Sequence, residues 1–419
     1  MSDRPAIGRR IDGAWAWVVA GAAFMLMFIG YGAAYSFGVF FKPLAETFTA
    51  DRAETSLVFS IIGGTYSTMG ILSGPAADRF GTRPVCLFGM LGLGAGLIYA
   101  SGAEVLWQVY IGFGIGVSLG IGCVFAPANA GLQRWFTRNR GLASGLATTG
   151  VGISILVLPP AAASLIDLWD WRDTMWALGA LALVLGSLAA GFMGDPGLEA
   201  QPPTATTVPA PNGFDLRKAL LSRGFVMLWL SSMLCCAGIF VPFVHLVAYS
   251  IDHGLGEGTG VFLITMIGAS SLFGRVVLTA AADRLGRRNS MVAMYLAMGI
   301  GFLIWRVADD DTATLTTFAV LFGVGYGGYV AMIAPILAEY FGVRKIGSLL
   351  GCFMSSIAIG GSLGPWLSGY AFDISGSYDL PILAVGVLGV LAAVFAGGMP
   401  VRSYPDGTFE RATRQGNMR

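Results

Sequence analysis

Along this chain long apolar runs alternate with short polar breaks, and the length of the runs is the first clue to its fold. A helix needs about 20 apolar residues to cross the hydrocarbon core of a bilayer. By that measure twelve spans fall near 14–40, 56–76, 84–103, 105–132, 140–165, 174–194, 223–250, 258–281, 290–308, 312–338, 347–370 and 380–400. The first run, Ala14 to Phe41, exceeds the apolar core of a signal peptide and lacks an obvious cleavage site, so it reads as a membrane helix. The longest polar break, Asp195 to Ser222, contains Pro196, Pro202, Pro203, Pro209 and Pro211, and reads as a linker. The expectation is an all-α membrane protein of two six-helix bundles, residues 1–194 and 223–419, joined by a cytoplasmic linker over 195–222.

The two halves repeat each other. The sequence Gly74-Pro-Ala-Ala-Asp78-Arg79-Phe-Gly81-Thr-Arg83 closes the second run, and Thr279-Ala-Ala-Ala-Asp283-Arg284-Leu-Gly286-Arg287-Arg288 closes the eighth. Asp78 and Asp283 are 205 residues apart. A second match, Arg138-Asn-Arg-Gly141 against Arg344-Lys-Ile-Gly347, recurs at 206. Two matches at nearly one offset indicate a duplication, an arrangement that secondary transporters share.

Composition agrees with a chain that lives in lipid. Of its 419 residues 55% are hydrophobic and only 12% charged, and glycine, with 61 residues, suits close helix packing in lipid. The net charge of +1 offers no field for nucleic acid, and the basic clusters are short and juxtamembrane. With both termini and the linker in the cytoplasm, only Lys42, Arg52, Arg172 and Arg306 fall outside, a positive-inside distribution. Cys86, Cys123, Cys235, Cys236 and Cys352 lie in apolar stretches without metal-ligand spacing and read as small packed residues.

One cation escapes that distribution. Arg275 lies inside the eighth run, eight residues before Asp283, while the acids sit in outer loops, cytoplasmic segments and helix ends. An intramembrane arginine costs about 2.5–3.5 kcal/mol on insertion scales and marks a functional site by default. Its guanidinium holds a carboxylate through two parallel hydrogen bonds. The structural alternative is that it snorkels to the cytoplasmic surface or caps carbonyls. Ser271, one turn earlier, offers a hydroxyl on the same face. Tyr35, Tyr66, Asn129, Tyr326, Tyr329 and Ser355 are further polar residues in apolar runs, with Tyr35 and Tyr329 the preferred contacts. His245, towards the outer end of the seventh run, is the candidate proton carrier.

Three segments resemble one family. Asp12-Gly13-Ala14-Trp15-Ala16-Trp17 resembles the signature that opens monocarboxylate transporters. The run from Arg134 to Gly150 is similar to their second signature, and the paired loops resemble the loop motif of the wider major facilitator superfamily. The resemblance implies alternating access, with proton-coupled transport of small monocarboxylates such as lactate or pyruvate, and a carboxylate held by Arg275. Animal members place an acid where Ser271 stands and a lysine where Tyr35 stands, both tied to proton handling, so the coupling route is left open here. Short loops and termini fit a bacterial inner-membrane member. Asp78, Arg79, Arg83, Asp283, Arg284 and Arg138 are then expected to gate the cytoplasmic side, with positive-charge topology signalling as the alternative role.

Other chemistry finds no support in the residues. Gly323-Val-Gly325-Tyr-Gly327-Gly328 fits a dinucleotide fingerprint but sits inside an apolar run with no strand before it. No Walker loop, paired buried acids or nucleophile with its base occurs, so neither an enzyme nor a cofactor or metal site is expected. The expected partners are a small monocarboxylate, protons and the bilayer, for a monomer. A carboxylate exchanger of oxalate or formate type is the alternative transporter, and an organic-acid sensor the alternative outside transport.

Overall fold

The structure, a computed structural model, describes residues 12–136, 140–194, 216–341 and 346–400. Helix α1 runs Ala14–Tyr35 and, after a bend at Ser36, Phe37–Phe48. It is followed by α2 (Arg52–Phe80), α3 (Thr82–Ser101) and α4, whose pieces are Leu106–Val109, Tyr110–Ile115, Gly116–Gly122 and Phe125–Trp135. Then come α5 (Arg140–Leu168) and α6 (Trp171–Phe192). The second half holds α7 (Arg223–Asp252, bent at Phe240), α8 (Glu257–Leu285), α9 (Arg287–Arg306), α10 (Thr312–Phe341), α11 (Ile346–Ser375) and α12 (Asp379–Gly397). Eleven of these are long and apolar enough to cross a membrane. The twelfth, α9, has the length at 20 residues, but arginines at both ends and a polar first turn dilute it. It packs between α10 and α12 like its neighbours.

The helices overrun the apolar runs because their ends carry polar caps. Asp51 and Glu54 form a capping box that starts α2 one turn before its first apolar stretch. The duplicated loop motif also has a backbone reason. Gly81 ends α2 at φ 90° and Gly286 ends α8 at φ 82°, a region open to glycine and strained for other residues.

Principal packing partners of α1 to α6 lie mostly within that set, and those of α7 to α12 likewise, giving two six-helix bundles. The bundles meet along α2 with α11, α5 with α8, and the second piece of α1 with the second piece of α7. Small residues make the crossings close. A Cβ on Gly38 would lie 2.5 Å from the Phe243 carbonyl oxygen, so α1 and α7 touch backbone to backbone. One end of the molecule, at the α1–α2, α7–α8 and α11–α12 turns, is rich in acids. The other, at the α2–α3 and α8–α9 turns, is rich in arginine.

Candidate functional site

Arg275 sits on α8 ten residues before the helix ends at Leu285, about 15 Å from that end. Tight packing fixes which way it points. A Cβ on Gly274 would lie 2.1 Å from the Val324 carbonyl oxygen of α10, and one on Gly268 would lie 2.9 Å from the Leu156 nitrogen of α5. Wedged between these helices, α8 has little freedom to roll and carry the guanidinium elsewhere. Arg275 Nη1 donates to the Thr148 carbonyl of α5 at 3.3 Å, across the bundle interface. Its Nε and Nη2 are buried and have no hydrogen-bond partner. Among the described residues no carboxylate lies within ion-pair distance of it. The hydroxyls of Tyr31 and Tyr326 lie within electrostatic reach of the guanidinium.

Above Arg275, towards the acid-rich end, the bundles are clasped by a tyrosine pair. The Tyr35 and Tyr326 hydroxyls are 2.5 Å apart and join α1 to α10. The Phe243 ring of α7 closes over both, at 4.5 Å from Tyr35 and 5.7 Å from Tyr326 between centroids. The structure thus brings Tyr35, Tyr326 and Arg275 to one region. Tyr31, one turn before Tyr35 and stacked on it at 6.1 Å, belongs there as well; its spacing on α1 was the signal for it.

The other polar candidates are engaged elsewhere. The buried Ser271 hydroxyl donates to Gly268 on its own helix, at 2.8 Å. Its backbone is pressed against α10, where a Cβ on Gly327 would lie 1.9 Å from the Ser271 carbonyl oxygen. Tyr329 lies inside the second bundle, bonded to Ser232 at 2.7 Å, and Ser232 also accepts from Ser356 at 2.9 Å. Ser355 accepts from Trp229 Nε1 at 2.9 Å and donates to Cys352. Asn129 donates to the Phe125 carbonyl of its own helix at 2.9 Å, whereas Tyr66 is the exception and lies within electrostatic reach of Tyr31, Tyr35 and Tyr326. Of the gating candidates, Arg79 and Arg83 are exposed, with Arg79 against the Phe80 ring at 5.3 Å. Arg138 and the side chains of Asp78, Asp283 and Arg284 lie outside the described residues.

A second arginine, which the sequence reading left in a loop, holds the acid-rich end together. Arg52 begins α2, and all its partners belong to the other bundle. Its Nη2 meets Asp252 of α7 at 2.6 Å, its Nη1 donates to the Tyr378 hydroxyl, and its guanidinium lies 3.9 Å from the Phe372 ring centroid. The Asp373 carboxylate of α11 accepts the backbone N–H of Arg52 at 3.1 Å and of Ala53 at 2.8 Å. These are orphan donors of the α2 N-terminus, where the helix dipole favours an anion. Beneath them His245 is fully buried, with Nδ1 at 3.1 Å from the Tyr378 hydroxyl and Nε2 at 2.9 Å from the Pro365 carbonyl.

Comparison with known proteins places this geometry in context. The model of the Major Facilitator Superfamily matches residues 23–305 and 262–417. The chain is 32% identical to monocarboxylate transporter 11 of Homo sapiens over 408 residues, covering 94% of this chain and 84% of that protein. It is also 32% identical to monocarboxylate transporter 3 of Rattus norvegicus over 404 residues, covering 94% and 81%. Among solved structures, a D-xylose-proton symporter superposes with a TM-score of 0.74 at 14% identity, covering 94% of this chain and all of that one. A POT family transporter in complex with 5-aminolevulinic acid gives 0.71 at 12% identity, covering 90% and 94%. At those identities the two structures speak for the fold alone.

Proposed function

Because this chain belongs to the monocarboxylate transporter family of the Major Facilitator Superfamily, and is a multi-pass membrane transporter rather than an enzyme, we propose that it carries small monocarboxylates, such as lactate or pyruvate, together with a proton. One observation supports the substrate class above all. Nε and Nη2 lie on the same edge of the Arg275 guanidinium, and both are buried without a partner. That edge is the fork that grips a carboxylate through two parallel hydrogen bonds. Nη1 is already spent on Thr148, which fixes the fork's orientation. A bound anion neutralises the charge and satisfies the open donors at once, so closure around the loaded site is easier than around the empty one. On this reading Tyr35 and Tyr326 form the roof of the site, and residues 1–194 and 223–419 are the two rocking bodies. The acid-rich end faces outward and both termini face the cytoplasm, in keeping with the Lys and Arg distribution.

The test is uptake of radiolabelled lactate by proteoliposomes under an inward proton gradient, for wild type and Arg275→Ala. Accumulation by wild type alone supports the reading. Equal accumulation by both makes Arg275 structural and overturns it. A second reading, exchange of one carboxylate for another, is favoured by the lack of an ion-paired acid beside Arg275 among the described residues. Strict dependence on internal counter-substrate distinguishes exchange from symport.

A further inference from the structure

The cluster at the acid-rich end has a hydrogen-bond arithmetic of its own. The Pro365 carbonyl can only accept, so the His245 nitrogen facing it, Nε2, carries a hydrogen. The Tyr378 oxygen accepts from Arg52 Nη1, and its own hydrogen is free for the remaining partner, His245 Nδ1. A neutral imidazole therefore completes an unbroken chain from the α2 guanidinium through α12 and α7 to α11. A second proton on the ring removes the acceptor. Nδ1–H and the guanidinium would then both donate to one phenol oxygen, two cations would flank it, and the tyrosine hydrogen would lose its partner.

The surroundings do not offset this. The titratable and charged groups at the acid-rich end of the helices around His245 are Arg52 and Glu54 on α2, Asp252 and Tyr249 on α7, Tyr370 and Asp373 on α11, and Asp379 on α12 with Tyr378 just before it. Lys42 pairs with Glu46 on α1 at the rim, and Glu257 begins α8. Among these only Tyr378 bonds the ring in the described structure. Asp252 is held by Arg52, Asp373 by the α2 N-terminus, and Asp379 by Arg306 at 3.3 Å. The ring also packs against the Phe41 ring at 5.3 Å between centroids, which offers no charge.

We propose that Arg52, Asp373, Tyr378 and His245 are the outer latch between the two bundles, and that protonation of His245 releases it. The bonds from Arg52 run to helices of the opposite bundle, so separating the outer ends breaks them all together. A protonated ring is compatible with the open arrangement and not with the closed one, and by linkage a proton favours opening. A proton taken from outside thus opens the outer side, and its release from the ring lets the latch re-form. This rests on the transport reading in one respect only, that the bundles rock.

The experiment measures the latch without substrate. Spin labels are placed on the exposed outer positions Glu104→Cys and Asp310→Cys, with the half-buried Cys352→Ser, in protein reconstituted in nanodiscs. The distance between labels is read by pulsed electron resonance at about pH 8 and about pH 5, on either side of the ordinary histidine range. Wild type should gain a longer-distance population several-fold at the acid pH. His245→Gln, whose amide can donate to Pro365 and accept from Tyr378, should stay short at both. Arg52→Gln should show the long population at both. A wild-type distance that ignores pH, or a His245→Gln variant that still responds, overturns the proposal. Lactate uptake by the same variants in proteoliposomes separates the two readings. Uptake without a pH-dependent distance sinks the latch and leaves the transport reading, and the converse result does the opposite.

Discussion

Two arginines in this molecule are handled in opposite ways. Arg52, at the acid-rich end, is surrounded: one carboxylate, one phenol and one aromatic ring take its guanidinium, and a second carboxylate takes its backbone. Arg275, at mid-depth, is supplied with one carbonyl and left with two buried donors open. A charge that the protein has satisfied is part of the scaffold or of a gate. A buried charge left open costs free energy that a structure retains only if something else completes it. The contrast separates the part of the molecule that holds shape from the part that awaits a ligand.

The largest effect should come from breaking that contrast at Arg275. Arg275→Lys keeps the charge and loses the fork. If the open donors grip a carboxylate, truncating such a buried charged pair costs about 2–5 kcal/mol, or roughly thirtyfold to several-thousandfold in uptake efficiency. Initial uptake rates against substrate concentration measure it, with size-exclusion elution confirming the fold. A lysine variant with near-native uptake would mean that only the charge matters.

How much of this was legible in the sequence follows from what one dimension can display. Arg275 stood out because a charge within an apolar run violates its own neighbourhood. The twelve spans stood out for an equally local reason, the duplicated loops by their repetition at one offset, and Gly81 and Gly286 then supplied the loops' backbone cause. Arg52 did not stand out. Its partners Asp252, Asp373 and Tyr378 lie 200, 321 and 326 residues away, and an arginine in an acidic loop looks like a solvated cation until the fold brings them together. Tyr329 and Tyr326 illustrate another limit. Both are tyrosines in the same apolar run, three residues apart, yet one turns into a serine network and the other towards Arg275. Which face of a buried helix meets which neighbour is decided by packing, and periodicity is silent where every face is apolar.

The next effect sharpens the difference between fixed and movable contacts. Within the second bundle, a Cβ on Gly364 would lie 1.8 Å from the Ala237 carbonyl oxygen, a backbone atom that cannot step aside. Between the bundles, a Cβ on Gly64 would meet the Ser362 hydroxyl at 2.7 Å, a side chain that can rotate. Gly364→Ala should therefore lose about 1–3 kcal/mol of stability, seen as a lower melting temperature and poorer yield. Gly64→Ala should melt close to wild type while changing transport rate. Equal melting temperatures for the two would show that a backbone neighbour yields as readily as a rotatable side chain.

A smaller effect is expected where the two regions meet. The Tyr35–Tyr326 bond lies between Arg275 and the latch, and one such bond is worth about 0.5–1.5 kcal/mol. Tyr35→Phe should change the transport rate by about two- to tenfold. Adding Tyr326→Phe should change it little further, because the single variant has already removed the shared bond. Additive losses would instead mean that each hydroxyl has its own partner in the loaded state.

The smallest effect tests the rule from the side of the acids. Asp311, fully exposed before α10, accepts from the Thr314 hydroxyl at 2.5 Å and from the Thr314 and Ala313 backbone N–H groups at 3.0 and 3.2 Å. These bonds, the Thr314 hydroxyl foremost, hold its carboxyl below the ordinary value of 3.8. A depressed folded value means that the group stabilises the protein above the ordinary carboxylate range and ceases to do so as pH falls through the folded value. Asp311→Ala should thus lower the melting temperature slightly at neutral pH, with the gap closing only below the ordinary value of 3.8. Transport should be unchanged, because this charge, unlike that of Arg275, is already satisfied and, unlike that of Arg52, bonds only its own turn. A loss of uptake in Asp311→Ala would show that a satisfied charge at the rim still acts on substrate, and the division between scaffold and site would have to be drawn elsewhere.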